Sequence, residues 1–80
     1  MNQNLELISY KYNLIKFIKS NKYMPETKDL ISKILVSKEI EELDYLFYKY
    51  KLLLIQNQIY VRPNNKFWIK LINRQINIFL

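Results

Sequence analysis

The chain has no cysteine, no histidine, no glycine and no alanine, and only two prolines. Without cysteine there are no disulfides, no thiol redox chemistry and no thiolate metal sites. Without histidine the commonest metal ligand and the commonest general base are gone. Only carboxylates, lysines and tyrosines remain for acid–base work, and most of the acids sit at the start of one expected helix, where they stabilise it. No enzymatic activity, metal or cofactor is therefore expected. Without glycine, any turn that needs a positive φ must use another residue, and Asn21, Asn57, Asn64 and Asn65 are the candidates. No apolar run is long enough to span a bilayer, and residues Met1 to Tyr10 lack the layout of a signal peptide, so a cytoplasmic location without membrane attachment is expected.

What is present is apolar and basic. Half of the 80 residues are hydrophobic, 15% are aromatic, and the formal net charge is +6. Asn, Lys, Ile, Tyr and Phe, the residues of A/T-rich codons, crowd the chain and suggest a bacterial, phage or plasmid genome. The length fits one domain over residues 1–80. The apolar content exceeds what so small a core needs, which suggests that a second copy covers the excess.

The periodicity predicts a first helix from Leu5 to Ser20, with Glu6, Ser9, Asn13, Lys16 and Ser20 on a polar arc and a wide apolar remainder. Pro25 forces Met24 to be extended and ends that helix. Thr27 is placed to cap a second helix, Lys28 to Leu35, and Ser37 to cap a third, Lys38 to Lys51. Short strands are expected at Leu52 to Ile55 and Gln58 to Val61 around a Gln56-Asn57 turn. A fourth helix should run from Lys66 to Leu80, with Lys70, Asn73, Arg74 and Asn77 on its polar arc.

The order helix, helix, turn, helix, hairpin, helix resembles the winged helix-turn-helix family. The run Met24-Pro25-Glu26-Thr27-Lys28-Asp29-Leu30-Ile31-Ser32-Lys33-Ile34-Leu35 resembles the entry to the second helix of LexA-type repressors. Val36-Ser37-Lys38 resembles the turn before a recognition helix. The stretch Ile59 to Trp68 resembles the wing exit of MarR-like regulators and of TubR-like partition adaptors. The resemblance implies a mainly α fold with a small β-hairpin, ordered α1-α2-α3-β-β-α4. It also implies sequence-specific binding of double-stranded DNA by a homodimer. The job would be that of a small transcriptional repressor or of a plasmid or phage partition adaptor that also meets a filament protein. A phage or plasmid protein using the same fold to inhibit a protein partner is the alternative.

On that reading Lys38, Glu41, Tyr45, Tyr48 and Lys49 face the duplex from the recognition helix. Lys28 and Lys33 hold phosphates from the second helix, and Arg62 and Lys66 do so beside the wing. Tyr10, Leu14, Phe17, Trp68, Ile72, Ile76 and Phe79 build the dimer interface. Replacing Lys38, Tyr48 or Lys49 by Ala should then weaken duplex binding, and affinity should fall steeply with salt.

Overall fold

The computed structural model describes residues 3–21 and 23–79, with side chains for 4–21 and 23–75. Four helices follow one another: α1 (Gln3–Lys19), α2 (Pro25–Val36), α3 (Ile40–Gln56) and α4 (Lys66–Phe79). There is no strand among the described residues. α1 is the central member and packs against each of the other three, while α2 also packs on α3.

That central position explains the wide apolar stripe of α1. Tyr10, Leu14, Phe17 and Ile18 are buried inside a single chain, and Leu7 and Ile15 lie against the same core. A helix with three neighbours needs three packing faces. Part of the apolar surface expected to meet a second copy is thus taken up within the protomer, while Leu5, Ile8 and Tyr12 of α1 and Ile69 of α4 stay exposed. Tyr10, Leu14 and Phe17, expected at a dimer interface, are at most 3% exposed and cannot reach a partner unless the core opens. Trp68 and Ile72 are half-buried against that core. The side chains of Ile76 and Phe79 lie outside the described residues.

The largest departure from expectation is the missing wing. Residues Leu52 to Ile55, expected as a strand, are the last turns of α3. The reason is in the spacing: Leu43, Leu46, Phe47, Tyr50 and Leu54 are all buried, an unbroken helical stripe that carries α3 past Lys51. A strand here would put Leu53 and Leu54 on opposite faces; in the helix both contribute to the core. Gln58 to Val61 makes no ladder, and Ile59 and Val61 instead pack half-buried on the core as the chain returns towards α4. The mainly α fold with a β-hairpin is corrected to four helices.

Helix boundaries shift for local reasons. α2 begins at Pro25, because a proline at the first helical position has no N–H to lose and its φ is preset. Met24 takes the N-cap position with extended geometry. Thr27, expected as the cap, sits one turn in, where its Oγ1 accepts the Met24 N–H at 3.2 Å. Ser37, expected to cap α3, closes α2 instead: its Oγ donates to the Lys33 carbonyl at 2.8 Å and its N–H to the Ile34 carbonyl at 3.2 Å. Lys11 donates to the Leu35 carbonyl at 3.0 Å, placing a cation at the same helix end. α3 therefore starts at Ile40, the first residue of its apolar stripe, and Lys38 lies in the turn rather than on the helix.

α3 ends in a Schellman arrangement without glycine. The Ile59 N–H donates to the Leu54 carbonyl at 2.9 Å and the Gln58 N–H to the Ile55 carbonyl at 3.1 Å. Gln58 takes the left-handed conformation, φ 56°, whereas Asn57, one of the asparagines expected there, has φ −94°. A side chain in this region costs about 1 kcal/mol relative to glycine. Gln58→Gly is expected to raise stability by about that amount, read as a higher urea midpoint with an unchanged m-value. Asn57→Gly should give no gain, because its φ is ordinary and its Nδ2 donates to the Leu53 carbonyl at 2.8 Å.

Candidate nucleic-acid interface

The α3 face singled out from the sequence is open. Glu41, Glu42, Tyr45, Tyr48 and Lys49 are all exposed, as are Lys38 in the preceding turn and Lys28 and Lys33 on α2. These cations stand among carboxylates. Lys33 pairs with Asp29 at 3.2 Å. Lys33 and Lys49 line one groove with Glu26 and Asp29, and Lys38 lines another with Glu39 and Glu41. Lys49 also lies over the Tyr45 ring, 5.7 Å from its centroid. In helix-turn-helix docking the first turns of the recognition helix meet the base edges. Here those turns present Glu41 and Glu42. Phosphates would be repelled there.

Arg62 and Lys66 belong to a different surface, at the other end of α4 from Arg74. α1 and α4 run antiparallel: Glu6 meets Arg74 at 2.9 Å, the rings of Tyr12 and Phe67 meet edge-on at 6.2 Å, and the Asn65 side chain donates to Ser20 Oγ at 3.0 Å. Asn65 sets this end. Its Oδ1 accepts the N–H groups of Phe67 and Trp68, both at 3.0 Å, and so caps α4. Its Nδ2 holds Ser20, which in turn donates to the Phe17 carbonyl at 2.7 Å. The first turn of α4 is thereby latched to the last turn of α1.

The latch brings lysines from distant parts of the chain together. Lys16 Nζ lies 5.6 Å from the centroid of Tyr12, and Lys66 Nζ lies 5.1 Å from that of Phe67, so two cations flank one aromatic pair. Lys19 and Arg62 are exposed on the last turn of α1 and on the connection, whereas Lys70, exposed on the second turn of α4, lines a concavity with Glu6 and Arg74. The sequence contains a signal for this surface that motif reasoning passes over. Every acidic residue lies at or before Asp44, so from Tyr45 onward the chain carries only cations: Lys49, Lys51, Arg62, Lys66, Lys70 and Arg74. They account for the whole formal charge of +6, the earlier lysines being balanced by the acids. No acidic residue occurs between Leu7 and Pro25 either, which is the rest of this surface.

Arg74, expected on the exposed arc of the fourth helix, has a structural post. Its guanidinium lies over the Tyr10 ring at 4.6 Å, pairs with Glu6 and approaches Asp44 at 3.7 Å. Tyr10 donates to Asp44 at 2.6 Å. One residue from each of α3 and α4, and two from α1, are thus locked together. Burial, then the Asp44 hydrogen bond and charge, push the Tyr10 phenol above its ordinary pKa, with Arg74 pulling the other way. Burial likewise pulls the Lys51 ammonium below the ordinary lysine value, as it lies over Phe47 and donates to Gln75 Oε1 at 2.9 Å. No cluster of acids able to hold a metal ion occurs among the described residues, and no helix among them is long and apolar enough to cross a membrane.

In comparisons with protein-family models, curated proteins and solved structures, nothing matches this chain.

The buried tyrosines set an alkaline limit. Tyr50 is fully buried, its hydroxyl lacks a hydrogen-bond partner of good geometry, and burial pushes its pKa from 10.0 up to about 12, with the Asn21 amide pulling it back. Tyr10 is raised as well. Both phenols keep their protons to higher pH when folded than when unfolded. Their contribution is therefore complete below about pH 10 and is lost as pH rises from there through about 12. Tyr50→Phe removes an unpaired polar group, so the urea midpoint at neutral pH should hold or rise, and the decline between pH 10 and pH 12 should become shallower. A large loss of stability at neutral pH would show that the hydroxyl is usefully bonded.

Proposed function

We propose that this chain binds double-stranded DNA through the acid-free surface formed by the second half of α1, the connection at residues 57–65 and the first turns of α4. The observation that carries the proposal is the Lys16–Tyr12–Phe67–Lys66 array, with Lys19 and Arg62 exposed on the adjoining turns and no carboxylate in the surrounding sequence. Duplex DNA presents a dense row of phosphates, and affinity for it comes first from cations that displace its counterions. A rigid helix seam holds such cations better than a loop does, because fewer backbone degrees of freedom are lost on binding. Tyr12 adds a hydroxyl donor beside Lys16. Repression and partition, the two roles expected from the sequence, both need a duplex contact.

Docking of a protein partner has one feature in its favour. The groove between the end of α2 and the start of α3 is lined by Val36, Tyr45 and Leu46 together with Lys33, Glu41 and Glu42, and Leu35 is largely exposed. That reading requires no duplex binding at all.

Fluorescence anisotropy with a short labelled duplex separates the two. On our reading, wild-type affinity falls on the order of a hundredfold between about 50 and 200 mM salt. Lys16→Glu with Lys66→Glu lowers affinity at least tenfold and reduces the log–log salt slope by roughly two. Tyr48→Ala with Lys49→Ala stays within about twofold of wild type, the reverse of what a recognition-helix docking through α3 requires. Loss confined to the α3 variant would move the interface to that helix. Absence of binding at low salt would leave the protein-docking reading standing.

A further inference from the structure

Beside the cationic seam, the end of α1 and the connection into α4 enclose a concavity of about 540 Å³, lined by Ser20, Asn21, Ile59, Tyr60, Arg62, Asn64 and Asn65. We infer that it receives one unpaired base of a DNA strand, stacked on Tyr60, with the adjoining phosphate held by Arg62. The inference rests on the duplex-binding reading and extends it to a preference for duplexes with an unstacked nucleotide.

Among the described residues Tyr60, at 77% exposed, is the most open large hydrophobic side chain, and its ring and hydroxyl engage no other described side chain. Tyr12 and Tyr45, by contrast, each carry a lysine on the ring. A free aromatic face next to a guanidinium, with no carboxylate in the lining, matches the two constant features of a nucleotide, a π-face and a phosphate. The walls can address the base edge. Asn64 is exposed and its amide is unengaged, whereas Asn65 is fully committed to the α4 cap and to Ser20. Asn21 is engaged inward, its Nδ2 donating to the Phe17 carbonyl at 2.8 Å and its amide acting on Tyr50. Half-buried Ile59 makes an apolar wall.

The frame is stiff where it must be. Pro63 fixes its own φ and holds Arg62 away from helical geometry. The Asn65 N–H donates back to the Arg62 carbonyl at 3.1 Å, closing the turn. The volume lies within the usual range of small-ligand sites, roughly 300–1,000 Å³. A base inside a perfect duplex cannot reach such a site, because both its faces are already stacked; a bulged or extruded one can.

The test compares a labelled duplex with the same duplex carrying a single bulged adenine, by anisotropy in one buffer. Wild type should bind the bulged duplex roughly tenfold more tightly, the scale of one base stacked on an aromatic ring. Tyr60→Phe should keep that ratio and Tyr60→Ala should bring it to about one, with circular dichroism verifying that each variant is folded. Free dAMP at millimolar concentration should not displace the bulged duplex; displacement would reassign the pocket to a free nucleotide and overturn the strand reading. Equal wild-type affinity for the two duplexes, or a ratio that survives Tyr60→Ala, overturns the inference while leaving duplex binding intact. Failure of both duplexes to bind at low salt overturns the broader functional reading as well.

Discussion

Phe17 has no exposed surface, and its neighbours come from two other helices: Phe47 and Tyr50 of α3 meet it edge-on at 6.2 and 5.5 Å, and Trp68 of α4 stacks on it at 5.2 Å. Trp68 in turn meets Phe47 at 5.9 Å. Such ring pairs add to the burial of large apolar area and fix relative orientation, since edge-on and offset geometries are favoured over others. The cluster sets where α3 and α4 stand relative to α1. The polar ties around it depend on that placement. Asp44 can bridge to Tyr10 and Arg74 only when α3 lies where Phe47 puts it, and Asn65 can reach Ser20 only when α4 lies where Trp68 puts it.

The same cluster explains how much of the fold was legible. Helix periodicity is a local signal and marks four helices; Pro25 marks the extended Met24, and the tight turn expected at Val36 and Ser37 falls after Val36, which stays in α2. It failed at Leu52 to Ile55, where a short apolar run fits a buried helix turn as well as a strand. Only knowledge that Leu54 completes the stripe begun at Leu43 decides for the helix. The capping errors share one cause. Thr27 and Ser37 can each bond in more than one frame, and the winning frame is set by which side each apolar stripe must face, not by the cap. The left-handed position is also hidden: without glycine an asparagine is the expected occupant, but the Schellman frame puts Gln58 there, one residue after Asn57.

The site was less legible than the fold. The helix-turn-helix pattern assigns an expected DNA contact to α3, and that face is open. What local reading cannot supply is the company each cation keeps. Lys33 and Lys49 share a groove with Glu26 and Asp29, while Lys16 and Lys66 share an aromatic pair and no acid. The ties that decide this join residues 45 and 68 positions apart, Ser20 to Asn65 and Glu6 to Arg74. Charge order along the sequence did hold the clue, since all acids precede Tyr45. Arg62 and Lys66, expected beside a wing, are exposed although the wing is absent, and the proposed interface includes them.

Stability and binding draw on opposite sides of one helix seam. Inward, α1 and α4 present Phe17, Leu14, Leu71 and Trp68 to the core; outward, the same turns carry Lys16, Lys19, Lys66 and Lys70. At its far end the seam is closed by Glu6 and Arg74, which neutralise each other at 2.9 Å. A polyanion laid along the seam would therefore meet strong positive potential at the latched end and a compensated pair at the other. On the proposed reading, that gradient would make the latched end, where Asn65 caps α4 and Tyr60 stands exposed on the connection, the point from which a strand is gripped. Because the lysines reach this surface from helices already fixed by the aromatic core, their order is established before any ligand arrives, and little of the binding free energy is spent on organising them.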